Sequence, residues 1–420
     1  MKRIDIDQLK PGDIVLTASR TLTGKGIRAA TAGLVSHAMI CVGHGSVIDS
    51  TPIGVQARNL QRELYHNDEA IFAFRSREPL NPVQLREIVG FAREQIGARY
   101  STIEAIRSVT AGRRPRSRRQ FCSRLVARAY AHAGIPLVAD EDYCVPEELR
   151  LTATLVELAD VTETLSAAEV AMWQARPNPV AATQQTQNAI LGQLRALDPA
   201  VETMNDVPQM AIDHPEWDDT IADLLRSLGY LDLWRHDHDA NPCHYDVEIL
   251  ERCVNETNAA VIRRSCQSLI AEYHSGGARY ATSLATLAHA QRLVPRRTNG
   301  LLIALYEHMV RDDHLIRETA RLWLERHHSS DVGQFMERIA PHTDMWFAIV
   351  DHVEPKLGAI ARLSIEREGS RDVCSSCGDP ASDYRIANAP EAMPGVPSLR
   401  LCGDCLAIRR NLGEVLVPLD

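Results

Sequence analysis

Ser36-His37-Ala38-Met39-Ile40-Cys41-Val42-Gly43-His44-Gly45-Ser46-Val47-Ile48-Asp49-Ser50 decides how the front of this chain is read. Two short runs rich in Val and Ile flank a glycine-bordered turn at His44-Gly45. This is the pattern of two antiparallel strands, and that pairing would bring Asp49 beside His37. Outward from the hairpin, Pro11-Gly12 marks a turn, and Asp13 to Ala18 and Ile71 to Phe74 read as further strands. A short helix is expected over about Thr23 to Ala32. An amphipathic helix follows over Pro82 to Ile96, with Leu85, Ile88, Val89, Phe91 and Ala92 on one side and Gly97 as its stop. Another opens near Phe121 and runs through Leu125, Val126, Ala129 and Tyr130 to Gly134, so the first 160 residues form an α+β unit.

The second chemical signal is Phe121-Cys122-Ser123-Arg124-Leu125-Val126. A thiol is a good nucleophile only as thiolate, and the free amides and dipole at a helix start favour that form. Arg113, Arg114, Arg116, Arg118 and Arg119 just upstream form a basic loop that would favour it further and could attract an acidic substrate. A catalytic thiol also needs a base and a group to orient that base. His37 and Asp49 are the candidates. Cys41, on a strand face shared with His37, and Cys144 are weaker candidates for the nucleophile because neither starts a clear helix, and His44 in its turn is a weaker base.

Length and composition frame these readings. A chain of 420 residues is too long for one ordinary core, and 45% hydrophobic with 24% charged residues suits several folded units. The net charge of -9 is uneven, with 22 Lys and Arg against 18 Asp and Glu in residues 1 to 160 and 24 against 37 in the rest. Nucleic acid is therefore not an expected partner, since its backbone needs a sustained basic face. Met1 to Arg20 hold Asp5, Asp7 and Asp13 and no apolar run, and no stretch reaches about 18 apolar residues, so the expected location is cytoplasmic, with signal-independent export left open.

In order, the N-terminal pieces resemble the circularly permuted NlpC/P60, or permuted papain-like, hydrolases of the YaeF/YiiX type. The matching features are Pro11-Gly12-Asp13-Ile14-Val15-Leu16, the Ser36-His37 strand, Val47-Ile48-Asp49-Ser50-Thr51 leading to Gly54-Val55, Gly97-Ala98-Arg99-Tyr100, Phe121-Cys122-Ser123 and Val145-Pro146-Glu147-Glu148-Leu149. His37 precedes Cys122, as permutation requires. The resemblance implies that Cys122 attacks a carbonyl, that His37 takes the thiol proton and that Asp49, where many relatives have Glu, orients the imidazole. It also implies that Tyr100 helps the Cys122 amide hold the developing negative charge.

From about Ser166 to Arg362 the periodicity is helical, over Thr220 to Leu228, Val247 to His274, Ala281 to Leu293, Leu301 to Val310 and His314 to His327. Its beginning, Gln174 to Gln187, reads as a linker or loosely held surface segment. The cluster His236-Asp237-His238-Asp239 with Cys243 and His244 contains ligand types but reads as a solvated loop, and Cys243, Cys253 and Cys266 read as small buried or idle thiols.

The last block holds Cys374-Ser375-Ser376-Cys377 and Cys402-Gly403-Asp404-Cys405, two knuckles 24 residues apart. This is the ligand pattern of a closed, tetrahedral structural zinc site resembling a zinc ribbon. The expected organisation is thus multidomain: residues 1–160 an α+β permuted papain-like hydrolase domain, 161–370 an all-α region, and 371–420 a zinc-binding module. No organic cofactor is expected.

The leading functional expectation is a thiol-dependent hydrolase, a cysteine peptidase or amidase, that cleaves an amide or peptide bond through an acyl-enzyme on Cys122. The resemblance adds cell-wall-derived peptides as a substrate class. Two alternatives stay open: a lipid-directed thiol acyltransferase or lipase whose basic loop meets a membrane, and a non-catalytic peptide-binding adaptor. In either case the helical and zinc modules could recruit a protein partner.

Overall fold

The structure is a computed structural model that describes all residues except 19–21, 102–116, 257, 273–278, 332–339, 387–395, 397 and 420. Its N-terminal part runs β1 (Lys2–Ile4), β2 (Ile14–Thr17), α1 (Leu22–Thr31), β3 (His37–Gly43), β4 (Ser46–Thr51), β5 (Gly54–Asn59), β6 (Ile71–Ser76), α2 (Pro82–Glu94), α3 (Cys122–His132), α4 (Pro146–Leu151), β7 (Leu155–Leu158) and β8 (Thr162–Thr164). Six of these strands form one antiparallel sheet in the order β5-β4-β3-β2-β6-β7, and β1 pairs with β8.

Strand alternation divides the apolar residues between two faces. Ile14, Leu16, Ala38, Ile40, Ile48 and Phe74 pack with Ile88, Val89 and Ala92 of α2 and with Leu125, Val126 and Ala129 of α3. Val15, Met39, Cys41, Val47 and Ala73 pack on the opposite side with Ile4, Leu9, Leu60 and Val161. Leu125 and Val126 have no solvent exposure, and burying a side chain of that size contributes about 1.5–3 kcal/mol, which fixes α3 to the sheet. Asn81 and Gln84 form a capping box ahead of Pro82 and start α2 where the periodicity predicted. Strand β5 was not foreseen, because Gly54-Val55-Gln56-Ala57-Arg58-Asn59 is too polar to stand out from sequence.

Gly54 and Gly97 hold the edge of this sheet to the turn that carries Tyr100. The Val55 amide donates to the Ala98 carbonyl and the Gly97 amide to the Val55 carbonyl, each at 2.9 Å. Gly54 has φ +105°, and a Cβ there would lie 2.9 Å from the Ala98 carbonyl oxygen. Gly54→Ala is expected to destabilise the N-terminal unit by about 1–3 kcal/mol. An unchanged thermal transition in near-UV circular dichroism would contradict this close approach.

The helical remainder comprises α5 (Ala167–Ala175), α6 (Pro179–Leu197), α7 (Val207–Asp213), α8 (Asp218–Ser227), α9 (Trp234–Ala240), α10 (Val247–Cys253), α11 (Ala259–Glu272), α12 (Arg279–Leu293), α13 (Arg297–His327), α14 (Asp344–Val353) and α15 (Pro355–Glu368). The expected linker at Gln174 to Gln187 is instead mostly α6. Asn178 caps this helix with Pro179 in its first turn; Gln184, within the expected linker, donates to the Ala57 carbonyl at the sheet edge, and Asn188, just beyond it, accepts from Gln56 at 3.1 Å. The expected loop at His236 to Asp239 is helical, within α9. Leu301 to Val310 and His314 to His327 are one continuous 31-residue helix, α13, because Arg311-Asp312-Asp313 lie on its sides and do not interrupt it. Val247 to His274, conversely, breaks between α10 and α11.

The C-terminal part adds β9 (Ser382–Ile386), β10 (Leu399–Leu401), α16 (Gly403–Asn411) and β11 (Leu416–Pro418), with sheet order β10-β9-β11. Trp346, Phe347, Val350, Leu357 and Ala361 of α14 and α15 share its core with Cys374, Leu399, Leu401 and Cys402. Among the described residues, no helix is long and apolar enough to cross a membrane.

Candidate active site

Cys122 is the first residue of α3, preceded by extended Phe121 (φ −132°, ψ 164°), whose side chain makes no capping hydrogen bond. No cap side chain competes there, and the dipole at the helix start favours a negative charge at this position. The thiol is 6% exposed. Behind it, the fully buried Arg124 guanidinium lies over Phe121 (4.4 Å) and Tyr143 (4.9 Å) and donates to the carbonyls of Asp142 (2.7 Å) and Arg119 (3.1 Å). These contacts tie the approach to the helix down on both sides.

His37 opens β3. In the hairpin register Asp49 lies opposite Met39, two residues further on, so His37 and Asp49 are diagonal neighbours on one face. His37 Nε2 donates to Asp49 Oδ2 at 2.8 Å, and the same imidazole is hydrogen-bonded with the Cys122 side chain. With Nε2 engaged by the carboxylate, Nδ1 is the nitrogen left for sulfur. Burial works against charge on the imidazole, but Asp49 and Cys122 outweigh it and hold the His37 pKa up at about 10. Because the folded value lies above the ordinary imidazole value of 6.5, the stabilising contribution is full below pH 6.5 and is lost as pH rises through about 10.

Asp49 is 1% exposed. Its burial would raise the carboxyl pKa, but the contacts with His37 and Arg58 prevail and lower it. Arg58 Nε donates to Asp49 Oδ2 at 2.8 Å while its Nη1 reaches Glu63 at 3.4 Å. Arg58 was missed from sequence because it lies on β5, the strand whose polar pattern hid it. Glu147, within Val145-Pro146-Glu147-Glu148-Leu149, carries no local sign of its role. Its Oε2 accepts from the amides of Leu34 (2.8 Å) and Val35 (3.3 Å), anchoring the segment that leads into His37. The signal for Arg58 would have been a basic residue on the strand after an acidic one, and it becomes readable only once β4 and β5 are known to pair.

Tyr100 is half-buried and joined to Gln120 by a parallel bridge, two residues before Cys122. Burial and then the nearby Cys122 charge raise the Tyr100 hydroxyl pKa, so Tyr100 shares the electrostatic environment of the thiol. The competitors lie elsewhere or are disfavoured. Cys41 is buried, and burial followed by the Asp13 charge pushes its pKa well up. Burial followed by Glu148 does the same to Cys144, whose carbonyl accepts from Ser123 Oγ at 2.8 Å. His44 pairs with Asp7 at 3.0 Å. Of the basic loop, Arg113, Arg114 and Arg116 lie outside the described residues, and Arg118 pairs with Asp206 at 2.8 Å.

A second cluster gathers Cys374, Cys377, Cys402 and Cys405, whose sulfurs all lie within 4.8 Å of one another. Cys377 Sγ is 3.5 Å from Cys402 Sγ and 3.7 Å from Cys405 Sγ. Disulfide sulfurs would be about 2.05 Å apart. A tetrahedron with bonds of about 2.3 Å to sulfur has edges of about 3.8 Å. The donor set and its spacing fit a tetrahedral metal ion. Backbone amides of Cys402, Ser376 and Cys377 also converge on the Cys374 sulfur, as suits a thiolate.

Residues 8–143 match the model of a family described as permuted papain-like amidase enzymes, YaeF/YiiX, C92. The chain is also similar to the probable lipoprotein peptidase YaeF of Escherichia coli (strain K12), at 36% identity over 92 residues. That similarity spans 22% of this chain and 33% of that protein, so the chain covers about a third of the relative's length. The N-terminal part is a permuted papain-like domain, followed by a mostly helical remainder and a C-terminal cluster of four cysteines.

Proposed function

We propose that this protein is a thiol-dependent amidase or peptidase in which Cys122 is the nucleophile, His37 the base and acid, and Asp49 the group that orients His37. The observation that carries this reading is a single imidazole in contact with the Cys122 thiol and, through Nε2, with a buried carboxylate 2.8 Å away. The raised His37 pKa leaves the proton of the pair on the imidazole, at Nδ1, and the Cys122 sulfur adds as thiolate to the carbonyl carbon. The oxygen then carries negative charge, held by the Cys122 amide and the Tyr100 hydroxyl. As the intermediate collapses, the C–N bond breaks and the imidazolium gives its proton to the departing amine, leaving a thioester on Cys122. Water, deprotonated by His37, attacks the thioester, and release of the carboxylic acid restores the thiol. A peptide or amide-containing substrate, with cell-wall-derived peptides as one class, is consistent with the family match. Arg58 is a positioning residue, since it holds Asp49 and not the sulfur.

In the same proposal Cys374, Cys377, Cys402 and Cys405 hold a zinc ion that fastens the C-terminal fold. With four protein ligands such an ion has no position for substrate.

The pH dependence of kcat/KM on an acyl-peptide amide tests the catalytic arrangement. Amine departure needs the imidazolium, so activity is expected to fall on the alkaline side near pH 10, where His37 loses its proton. Asp49→Asn removes the charge that holds the proton, and the alkaline limb is expected to move down by about one to three pH units. Superimposable profiles for the two proteins would refute the assignment. Turnover of a lipid ester with no turnover of any amide would favour the lipid-directed alternative instead.

A further inference from the structure

A second cluster of ligand-type side chains lies in the helical region, on residues the proposed hydrolase does not use. His308 and Asp312 are four residues apart on α13 and so share one face, while His238 reaches them from α9. One donor atom from each lies within 4.8 Å of the others. His238 Nε2 is 2.9 Å and His308 Nε2 3.2 Å from the same Asp312 oxygen, Oδ2. Nitrogen and oxygen ligands bound at about 2.0–2.1 Å in a tetrahedron are separated by about 3.3 Å.

The plainer explanation is a carboxylate hydrogen-bonded to two histidines. The geometry of His308 argues against it. Its Nε2 is sealed from solvent and, despite its nearness to Asp312, makes no hydrogen bond among the described residues. Two polar atoms that lie close but are misaimed toward each other suit aim at a third body between them. Asp312 is 8% exposed, and among the described residues the polar contacts of its side chain are the His238 bond and the misaimed His308 at 3.2 Å. Both imidazole planes are also fixed from outside the triad. Trp234 lies against His308 (centroids 3.9 Å) and Tyr245 stacks on His238 (3.7 Å), while the Tyr245 hydroxyl donates to Asp237. Such support holds ligands in place before a metal arrives.

We infer that His238, His308 and Asp312 bind a late first-row divalent metal ion at the wall of the cavity between the N-terminal sheet and the helices. Imidazole and carboxylate ligands without thiolate suit zinc or iron(II), in contrast to the all-sulfur cluster at residues 374–405. Asp312, Asp237, Trp234 and Tyr245 line this cavity, which has a volume of about 620 Å³ and reaches Gln56 and Ala57 of β5. Three protein ligands leave at least one position of a tetrahedral ion for water or a ligand in the cavity, as in zinc sites that exchange ligands.

The test uses the full-length chain, stripped by chelator and titrated with Zn2+ alone and, separately, with Co2+, Mn2+ and Fe2+ under anaerobic conditions. Metal per chain and the cobalt absorption spectrum are the readouts. The expected result is one metal equivalent with sulfur-to-cobalt charge transfer and a second with nitrogen and oxygen ligation only. The second equivalent is lost in His308→Ala and in the isosteric Asp312→Asn, and the sulfur bands are unchanged in both. Cys402→Ser removes the sulfur bands and leaves the second equivalent. If wild-type protein takes up no metal with nitrogen and oxygen ligation, or if both triad variants retain it, the inference fails. The wild-type spectrum decides the question even where a variant does not fold.

Discussion

Cys122→Ala is expected to lower kcat/KM for amide hydrolysis by at least about 10³-fold, the order seen when a nucleophile acting together with a base is removed. The expectation follows from the division of labour at the site. The thiol at the start of α3 is hydrogen-bonded with His37, whereas burial pushes up the pKa of both Cys41 and Cys144. Neither can readily supply a thiolate in its place. Labelling by an electrophilic thiol probe separates the enzyme from an adaptor. Wild-type protein is expected to react fastest at Cys122, and His37→Ala to react markedly more slowly at neutral pH while keeping its fold. Activity surviving in Cys122→Ala would end the proposal, and equal labelling in His37→Ala would remove the base from it.

Removing metal from the four-cysteine cluster is expected to have the largest effect on stability. Zinc binding to a structural site of this kind is worth about 10–16 kcal/mol, comparable with or greater than the whole stability of an ordinary domain, about 5–15 kcal/mol. The cluster lies inside the core that joins α14 and α15 to the small sheet. Cys374 is buried there, as is Trp346, whose Nε1 donates to the Ser398 carbonyl at 2.7 Å. Cys402→Ser or strong chelation is therefore expected to abolish the cooperative transition of this part and to shift tryptophan emission to the red as Trp346 meets water. Probe labelling at Cys122 should persist, because α3 is fastened by the separate core of the N-terminal sheet. An unchanged transition in fully chelated protein would show that the four sulfurs need no metal.

Sequence and structure contributed differently to this reading. The alternation around Ser36 to Ser50 and the apolar side of Pro82 to Ile96 are local patterns, and local patterns were enough to locate β3, β4 and α2 and to nominate His37, Asp49 and Cys122. The paired Cys-x-x-Cys knuckles were legible for the same reason, since their spacing is itself the chemical signal. Linker-like composition misled at α6, where Gln184, with Asn188 just after the expected linker, serves as a hydrogen-bonding partner for a sheet edge that no window of sequence contains.

What only the tertiary structure decided is whatever depends on residues far apart in the chain. The Arg58 clamp on Asp49 needs the register of β4 with β5, and the Glu147 anchor spans more than a hundred residues to the amides of Leu34 and Val35. Glu202 and Arg195 grip the turn that carries Tyr100, Arg195 donating to the Gly97 carbonyl at 2.7 Å and Glu202 pairing with Arg99. His238 looked like part of a polar loop until α9 and α13 brought it against His308 and Asp312. The physical reason is the same throughout. Periodicity and turn chemistry are encoded within a few residues, whereas the meeting of two charged or ligating groups is set by how whole elements pack.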